Sequence, residues 1–412
     1  MRVNGIIAEY NPFHNGHKYH IESSRLRTGA DFTIVAMSGS FVQRGAPALV
    51  HKYARAEMAL QNGADLVLEI PSFYACGSAE YFAHGAVTML DKLGVVDYLC
   101  FGSECGQIDI LTKIGEILAK EPESFRKRLN TNLEQGHSFP TARSFALMEE
   151  CPSLNDALEV FTSPNNILGI EYIKSLLRRE SSIKPVTIKR AGSEYHEKRL
   201  CENHASALAL RQSVFSGQKL SSLKAHMPDS AYHILEKAFS KLLPMQTKDF
   251  SRLLLYKLIS EEEQGYGQYL DVNSDLSDKI RKNLYQYTDF DNFCDRLKSK
   301  NITYSRLSRC MMHILLNITS EEMARYQALD YVPYARVLGI RKDASPLLSA
   351  IKQHSTIPMI SKLADAHKFL DEPSRKMLEK DIQISHIYNA VEASKSKSAV
   401  RNEYSTPIIV FH

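Results

Sequence analysis

Tryptophan is absent from this chain of 412 residues, and no apolar run approaches the length of a membrane-spanning helix. A span needs roughly 20 consecutive apolar residues, so an integral helical membrane protein is excluded. A strand is predicted from Val3 onward, and no leader peptide is expected ahead of it. The seven cysteines are odd in number and none forms a Cys-x-x-Cys pair. That argues against a disulfide framework and against a thiolate zinc site, and fits reduced thiols in a cytoplasmic protein. Cys100 and Cys105, near a predicted strand end, read as buried side chains. Internal repeats and low-complexity tracts are also missing. What remains is a chain with 44% hydrophobic and 24% charged residues, the balance of a soluble globular protein. Its length predicts two or three domains.

The net charge of +4 is unevenly spread. Residues 1–215 carry 23 Lys and Arg against 24 Asp and Glu, whereas residues 216–412 carry 28 against 23. The excess is too small to identify a nucleic-acid binder by itself. The first half alternates short apolar runs with helical patterns. Strands are predicted at Val3–Glu9, Asp31–Ala36, Leu66–Glu69, Tyr98–Gly102 and Pro185–Lys189, and helices at His17–Arg27, Lys52–Gln61 and Ala79–Leu93. Asn62-Gly63 and Gly94 supply helix stops. Such a series argues for a doubly wound parallel sheet, in which ligands bind at the carboxyl ends of the strands. From about residue 216 the strand signals fade. Helices are predicted at Asp229–Leu243, Asp249–Glu262, Leu276–Leu284, Phe290–Ser299 and Ser305–Asn317, with short strands at Val332–Ile340 and Thr406–Phe411. The expected division is therefore residues 1–215 and a mainly helical 216–412.

The first strand runs straight into His14-Asn15-Gly16-His17. Two histidines three apart at a strand-to-helix turn can face one spot. Gly16 removes a side chain that would hold a phosphate off the backbone. The helix beginning here offers free N–H groups and a positive dipole end to an anion. Imidazoles so placed can stabilise charge growing on an α-phosphate under attack. The rival readings are half a zinc site, which lacks further ligands, and a structural histidine pair. No metal-ligating residues are expected. This arrangement resembles the HxGH signature of the nucleotidyltransferase superfamily.

A second constellation is Ser206 with Arg211 five positions later. Serine at a helix start can cap it and donate to a phosphate, and arginine can clamp the departing pyrophosphate. The plain alternative is a cap and a solvated charge. Ser38–Gly45 follows the second strand and carries Phe41 and Arg44, and Ser163–Gly169 places Asn165 and Asn166 ahead of a helix. Arg190 closes the fifth strand. In the helical half, Arg296, Lys298, Lys300, Arg306 and Arg309 fall within fourteen residues without one acid, with Tyr285, Tyr287 and Tyr304 nearby. Basic residues among aromatics suit phosphates and unstacked RNA bases, although a solvated helix face has the same composition.

Taken together these blocks resemble the bacterial tRNA(Met) cytidine acetate ligase family across nearly the whole chain. The blocks are Ile7 to His17, Ser38 to Ala48, Asn62 to Pro71, Phe101 to Glu104, Ser163 to Gly169, Ile188 to Arg190, Ala205 to Arg211 and Lys298 to Arg309. The resemblance implies a Rossmann-like sheet followed by a mainly helical tRNA-binding domain. It implies ATP as co-substrate with Mg²⁺, acetate as acid and elongator tRNA(Met) as acceptor, the product being N4-acetylcytidine. No membrane or DNA partner is expected. The implied ATP site is Ile7, Ala8, Glu9, Tyr10, Asn11, Pro12, Phe13, His14, Asn15, Gly16, His17, Lys18, Tyr19 and His20, with Gly102, one of Asn165 and Asn166, and Arg190. His14, His17, Ser206 and Arg211 would act in catalysis, and Arg296, Lys298, Lys300, Arg306 and Arg309 on RNA. Of the segment Ser206–Leu210, only Ser206 supplies a hydroxyl, and Asn301-Ile302-Thr303-Tyr304 is less basic than the family's usual segment. The rival readings are a cofactor-pathway adenylyltransferase acting on a small phosphate ester and a non-catalytic RNA-binding module.

Overall fold

The computed structural model describes residues 1–151, 158–190, 205–300 and 302–412. Asn301, noted above, lies outside the described residues. The strands are β1 (Val3–Ala8), β2 (Phe32–Ser38), β3 (Phe41–Val42), β4 (Ala46–Pro47), β5 (Leu66–Ile70), β6 (Tyr98–Ser103), β7 (Lys184–Lys189), β8 (Ala335–Arg341), β9 (Met359–Ile360) and β10 (Ile409–Phe411). The α-helices up to residue 215 are α1 (Asn15–Thr28), α2 (Lys52–Gln61), α3 (Ser72–Ala75), α4 (Ala79–Lys92), α5 (Ile108–Lys120), α6 (Glu123–Glu134), α7 (Phe139–Glu150), α8 (Leu158–Thr162), α9 (Pro164–Arg178) and α10 (Ala207–Phe215). Those beyond it are α11 (Asp229–Phe239), α12 (Ser251–Ser260), α13 (Ser274–Asn283), α14 (Phe290–Leu297), α15 (Tyr304–Leu316), α16 (Ser320–Ala328), α17 (Ser345–His354) and α18 (Glu372–Ser396).

The main sheet runs β10-β8-β5-β2-β1-β6-β7, with β9 beside β8. The five strands foreseen in the first half pair in parallel, β1 meeting β2 from Val3 opposite Phe32 to Ala8 opposite Met37. Buried on both faces, these strands are nearly continuous apolar runs, which is why they were legible. One face is covered by α4 and α9, whose apolar stripes continue into the core of the later helices. The other is covered by α1, α2, α10 and α11.

The expected division at residues 215 and 216 does not match this packing. Leu223, Met227, Ala231 and Leu235 are buried in one cluster with Ala59 and Leu60. Asn62 Nδ2 donates to Ser230 Oγ at 2.9 Å across the same seam. Farther along, β8 joins β5 antiparallel and β10 joins β8, so the sheet draws on both halves and is mostly rather than wholly parallel. A linear reading finds strands one at a time and cannot see that a late strand returns to an early edge. The joint is held by charge. Lys52 Nζ lies 2.8 Å from Glu69 and 2.9 Å from Glu403, and Arg336 lies 3.0 Å from Glu69 and 2.5 Å from Glu403, with all four side chains buried. Helices predominate between α12 and α16, as foreseen, with ends within a few residues of expectation; α11 stops at Phe239, short of the expected Leu243.

Candidate active site

At the carboxyl end of β1 the chain turns through Glu9, Tyr10 and Asn11 into a cis peptide at Asn11-Pro12. The turn is pinned from several sides. Asn11 Oδ1 accepts from the Leu49 amide at 2.7 Å, and Arg55, fully buried, donates to the carbonyls of Glu9 at 2.7 Å and Ser38 at 2.9 Å and to that of Gly39. Arg55 carries no motif, and nothing in the sequence separates it from any other helix arginine.

His14 caps α1, and its Nδ1 accepts from the Gly16 amide at 3.0 Å. His17 Nδ1 accepts from the His14 amide at 3.2 Å, and the two rings stack with centroids 3.7 Å apart. A backbone N–H can only donate, so both Nδ1 atoms are lone-pair acceptors. The proton of each neutral ring therefore sits on Nε2. Burial, then the neighbouring His14, Arg190 and His20, holds His17 well below the ordinary histidine range. His17 is thus a neutral N–H donor at pH 7, which narrows the expectation of protonated or hydrogen-bonding imidazoles to the second kind. Gly16 has a reason beyond phosphate access: a Cβ there would lie 2.9 Å from His14 Cε1, so glycine makes room for the ring itself.

These side chains face a cavity of about 270 Å³ at the carboxyl ends of β1, β6 and β7. Ile7, Ala8, Glu9, Tyr10, Asn11, His14, Gly16, His17, Tyr19 and His20 line it, with Gly102, Asn165, Arg190, Ser206 and Arg211 from distant parts of the sequence. Other expected residues stand elsewhere. Phe13 is buried against the Tyr10 and His17 rings, Lys18 faces Glu22 at 3.9 Å on the surface, and Asn15 donates to the Ala225 carbonyl at 3.0 Å. Pro12 is buried in the cis turn and does not line the cavity. Of the asparagine pair, Asn165 reaches the cavity. Asn166 is buried, its Oδ1 accepting from the amides of Glu104 at 2.9 Å and Cys105 at 3.2 Å, while the Glu104 carboxylate accepts from the Asn166 amide at 2.9 Å and Asn165 Nδ2 at 2.6 Å. Asn166 thus ties α9 to the end of β6.

Ser206 caps α10, its Oγ accepting from the Ala209 amide at 3.2 Å, and Arg211 Nη1 donates to the Asn11 carbonyl at 2.6 Å. The second motif is therefore joined to the first through the pinned turn. Among the described residues, Tyr10 Oη and His20 Nε2 are buried at the cavity without a hydrogen-bond partner. Burial raises the Tyr10 hydroxyl, and burial with Arg190 lowers His20 to about 4. The sequence reading missed Phe82 and Tyr172, which also line the cavity, and gave no site role to Phe101 and Leu168 within the blocks it named. Their spacing on helix and strand is that of ordinary core residues. Gln43 and Arg44, seen as part of an interesting loop, enter the wall as well.

The basic cluster divides. Arg296, Lys298 and Lys300 are exposed, Arg296 donating to Gln286 and Lys298 lying 2.7 Å from Asp295. Arg306 is half-buried. Arg309 turns inward toward Asp271 at 3.9 Å with its side chain 14% exposed, which takes it off the face open to a phosphate backbone. Cys100 and Cys105 are free thiols, Cys100 buried and Cys105 half-buried. Among the described residues no group of three His, Cys, Asp or Glu side chains could hold a metal ion, and no helix is long and apolar enough to cross a membrane.

Residues 1–403 match the family of HIGH nucleotidyl transferases. The tRNA(Met) cytidine acetate ligase of Halothermothrix orenii is 40% identical, with 99% of each chain covered. The enzyme of the same name from Acetivibrio thermocellus is 38% identical over the full length of both chains. Among solved structures, apo Thermotoga maritima TmcAL superposes with a TM-score of 0.94 at 29% identity, both chains covered completely. The same protein bound with alpha-thio ATP gives 0.92. The mostly parallel sheet, the paired imidazoles at its first turn and these full-length matches agree: the chain belongs to the tRNA(Met) cytidine acetate ligase family of HIGH nucleotidyl transferases.

Proposed function

We propose that this chain is an ATP-dependent ligase that activates acetate as acetyladenylate and transfers the acetyl group to the wobble cytidine of elongator tRNA(Met), in the cytoplasm. The carrying observation is the pair of Nε2–H imidazoles at the α1 N-terminus, in one cavity with Arg190 and Arg211. A carboxylate is already a nucleophile, so the protein's task is positioning and charge stabilisation rather than proton removal. One acetate oxygen attacks the α-phosphorus, a P–O bond forms, the bond to the bridging oxygen breaks, and pyrophosphate leaves with that electron pair. His14 and His17 donate to α-phosphate oxygens as charge develops there. Arg211 holds the departing pyrophosphate, and Ser206 stands at the start of the same helix. The cytidine exocyclic amine then attacks the acyl carbon; the C–N bond forms, the bond to AMP breaks, and one amine proton is lost.

Glu9 is the only acidic side chain lining the cavity among the described residues. Were a Mg²⁺ ion to accompany the triphosphate, Glu9 is the side chain here that would help hold it. When bound, the ion supplies neutralisation of phosphate charge. The exposed Arg296, Lys298 and Lys300 support a tRNA-facing role for the helical region. The decisive experiment incubates the protein with ATP, radiolabelled acetate and total tRNA, then digests to nucleosides. Label in N4-acetylcytidine is expected. Its absence, with a well-folded protein, overturns the reading.

A further inference from the structure

One side chain outside the cavity makes contacts that packing alone does not call for. Arg55 on α2 is 0% exposed and does not line the cavity. Each hydrogen bond it makes among the described residues ends on a backbone carbonyl. Nη1 donates to Glu9 at 2.7 Å and to Ser38 at 2.9 Å, Nη2 donates to Gly39, and Nε donates to Val50 at 3.2 Å. Burial lowers it to about 10, so it stays a cation at neutral pH. Taking a guanidinium out of water is costly, and here the gain is geometric: one planar group fixes several loops at once.

The carbonyls it gathers lie at the ends of two neighbouring strands. Glu9 follows β1 and opens the turn that leads to His14, whereas Ser38 ends β2 and Gly39 leads into the β3–β4 hairpin. The Gln43 amide of that hairpin donates to Glu9 Oε1 at 3.0 Å. A closed ring results, from the Glu9 carbonyl through Arg55 to the end of β2, and back through the hairpin to the Glu9 side chain. The hairpin is itself anchored: Ser308 Oγ donates to the Gly45 carbonyl at 2.6 Å, and a Cβ on Gly45, whose φ is +72°, would lie 2.3 Å from the Arg309 amide nitrogen. Two residues beyond Glu9, Arg211 Nη1 holds the Asn11 carbonyl at 2.6 Å. The signature turn is therefore suspended between two arginines from different helices, one that lines the cavity and one that does not.

We propose that Arg55 is a positioning residue for the adenylation step. It never meets the nucleotide; it sets the turn from which Arg211 and the imidazoles of His14 and His17 reach the reacting phosphates. The inference rests on the function proposed above and adds a residue to its machinery. Alignment that matters only as charge develops is read in kcat rather than in ground-state binding. Arg55→Lys keeps the charge and loses the planar fork. It should lower kcat for acetate-dependent ATP–pyrophosphate exchange by about 10- to 100-fold, the scale of a misplacement of about 1 Å. The KM for ATP and the affinity for a non-hydrolysable ATP analogue should stay within about threefold. Rates are taken per site titrated with that analogue, so a partly folded preparation still reports. Arg55→Gln, which also loses the charge, should fall further. Transfer from supplied acetyladenylate to tRNA makes and breaks no bond at phosphorus, and should stay within about threefold of wild type. Exchange at the wild-type rate in Arg55→Lys overturns the inference. So does an equal fall in exchange and transfer, the result of a general loosening of the fold. A wild type with no acetate-dependent exchange would instead defeat the functional reading, and this role with it.

Discussion

At the scale of single residues, the tautomers of His14 and His17 are dictated by two backbone amides, and this makes their roles testable. Replacing either by alanine removes one donor to the α-phosphate and should lower acetate-dependent ATP–pyrophosphate exchange by about 100-fold, the usual loss for one such donor. Near-normal exchange in both variants would contradict the assignment. The same burial that keeps His17 neutral carries a cost in acid. His20 titrates near 4 through burial and Arg190, and His51 near 3 through burial, Arg401 and Arg55. Their unfolded pKa lies near 6.5, so below that value the unfolded chain binds more protons than the native one. Stability from these groups is complete above pH 6.5 and is lost as pH falls toward 4, by up to about 1.4 kcal/mol per pH unit for each. The melting temperature should drop between pH 7 and pH 5, and His20→Asn should flatten the profile; an unchanged slope would rule out the His20 contribution. The histidine pair was legible because spacing and position after a strand both mark it. Tyr172 and Phe82 were not, because a ring facing a cavity and a ring facing the core obey one periodicity.

For elements, the legible features were those with local causes. Parallel strands are apolar runs, and α2 was placed from Lys52 to Gln61 because its stop at Asn62-Gly63 is chemical. The fate of α15 was not legible: its sequence is basic and aromatic, yet one side docks the β3–β4 hairpin and draws Arg309 inward. Whatever RNA contact this region makes therefore falls to its exposed flank. Changing Lys298 and Lys300 together to glutamate reverses two exposed charges and should weaken tRNA binding at least tenfold at moderate salt, with a shallower salt dependence (about tenfold is the scale for losing two phosphate contacts). Adenylate formation without tRNA should persist. Filter-binding titrations across salt, run beside the exchange assay, check both; collapse of exchange with intact tRNA affinity would refute the division of labour.

At the scale of the whole molecule, the buried set of Lys52, Glu69, Arg336 and Glu403 joins α2, β5, β8 and the segment before β10. Burial alone would raise Glu403, but the Lys52 and Arg336 charges outweigh it and hold the carboxyl well below its usual range. Its contribution is therefore present above the ordinary carboxylate pKa and fades as pH falls below it. Glu403→Gln leaves two buried cations facing one carboxylate and should cost about 3–5 kcal/mol in urea unfolding, close to the penalty for breaking a buried ion pair. A loss below about 1 kcal/mol, the scale of a surface pair, would show the network to be well solvated.

That late return to the sheet also sets an order of events during synthesis. Tyr53 and Glu403, hydrogen-bonded in the finished protein, are 350 residues apart in sequence. At typical translation rates the ribosome needs on the order of tens of seconds to cover that distance. The signature histidines exist from the start of this interval, yet β5 has an unpaired edge and Glu69 lacks Arg336 until β8 is made, and Lys52 lacks Glu403 until its end. A nascent chain in this state presents an open strand, the feature most prone to pair with a stranger. The fold thus withholds a finished sheet until β8 and then β10 have emerged, and translation stalled short of β8 should yield a polypeptide that needs chaperone protection rather than a smaller working enzyme.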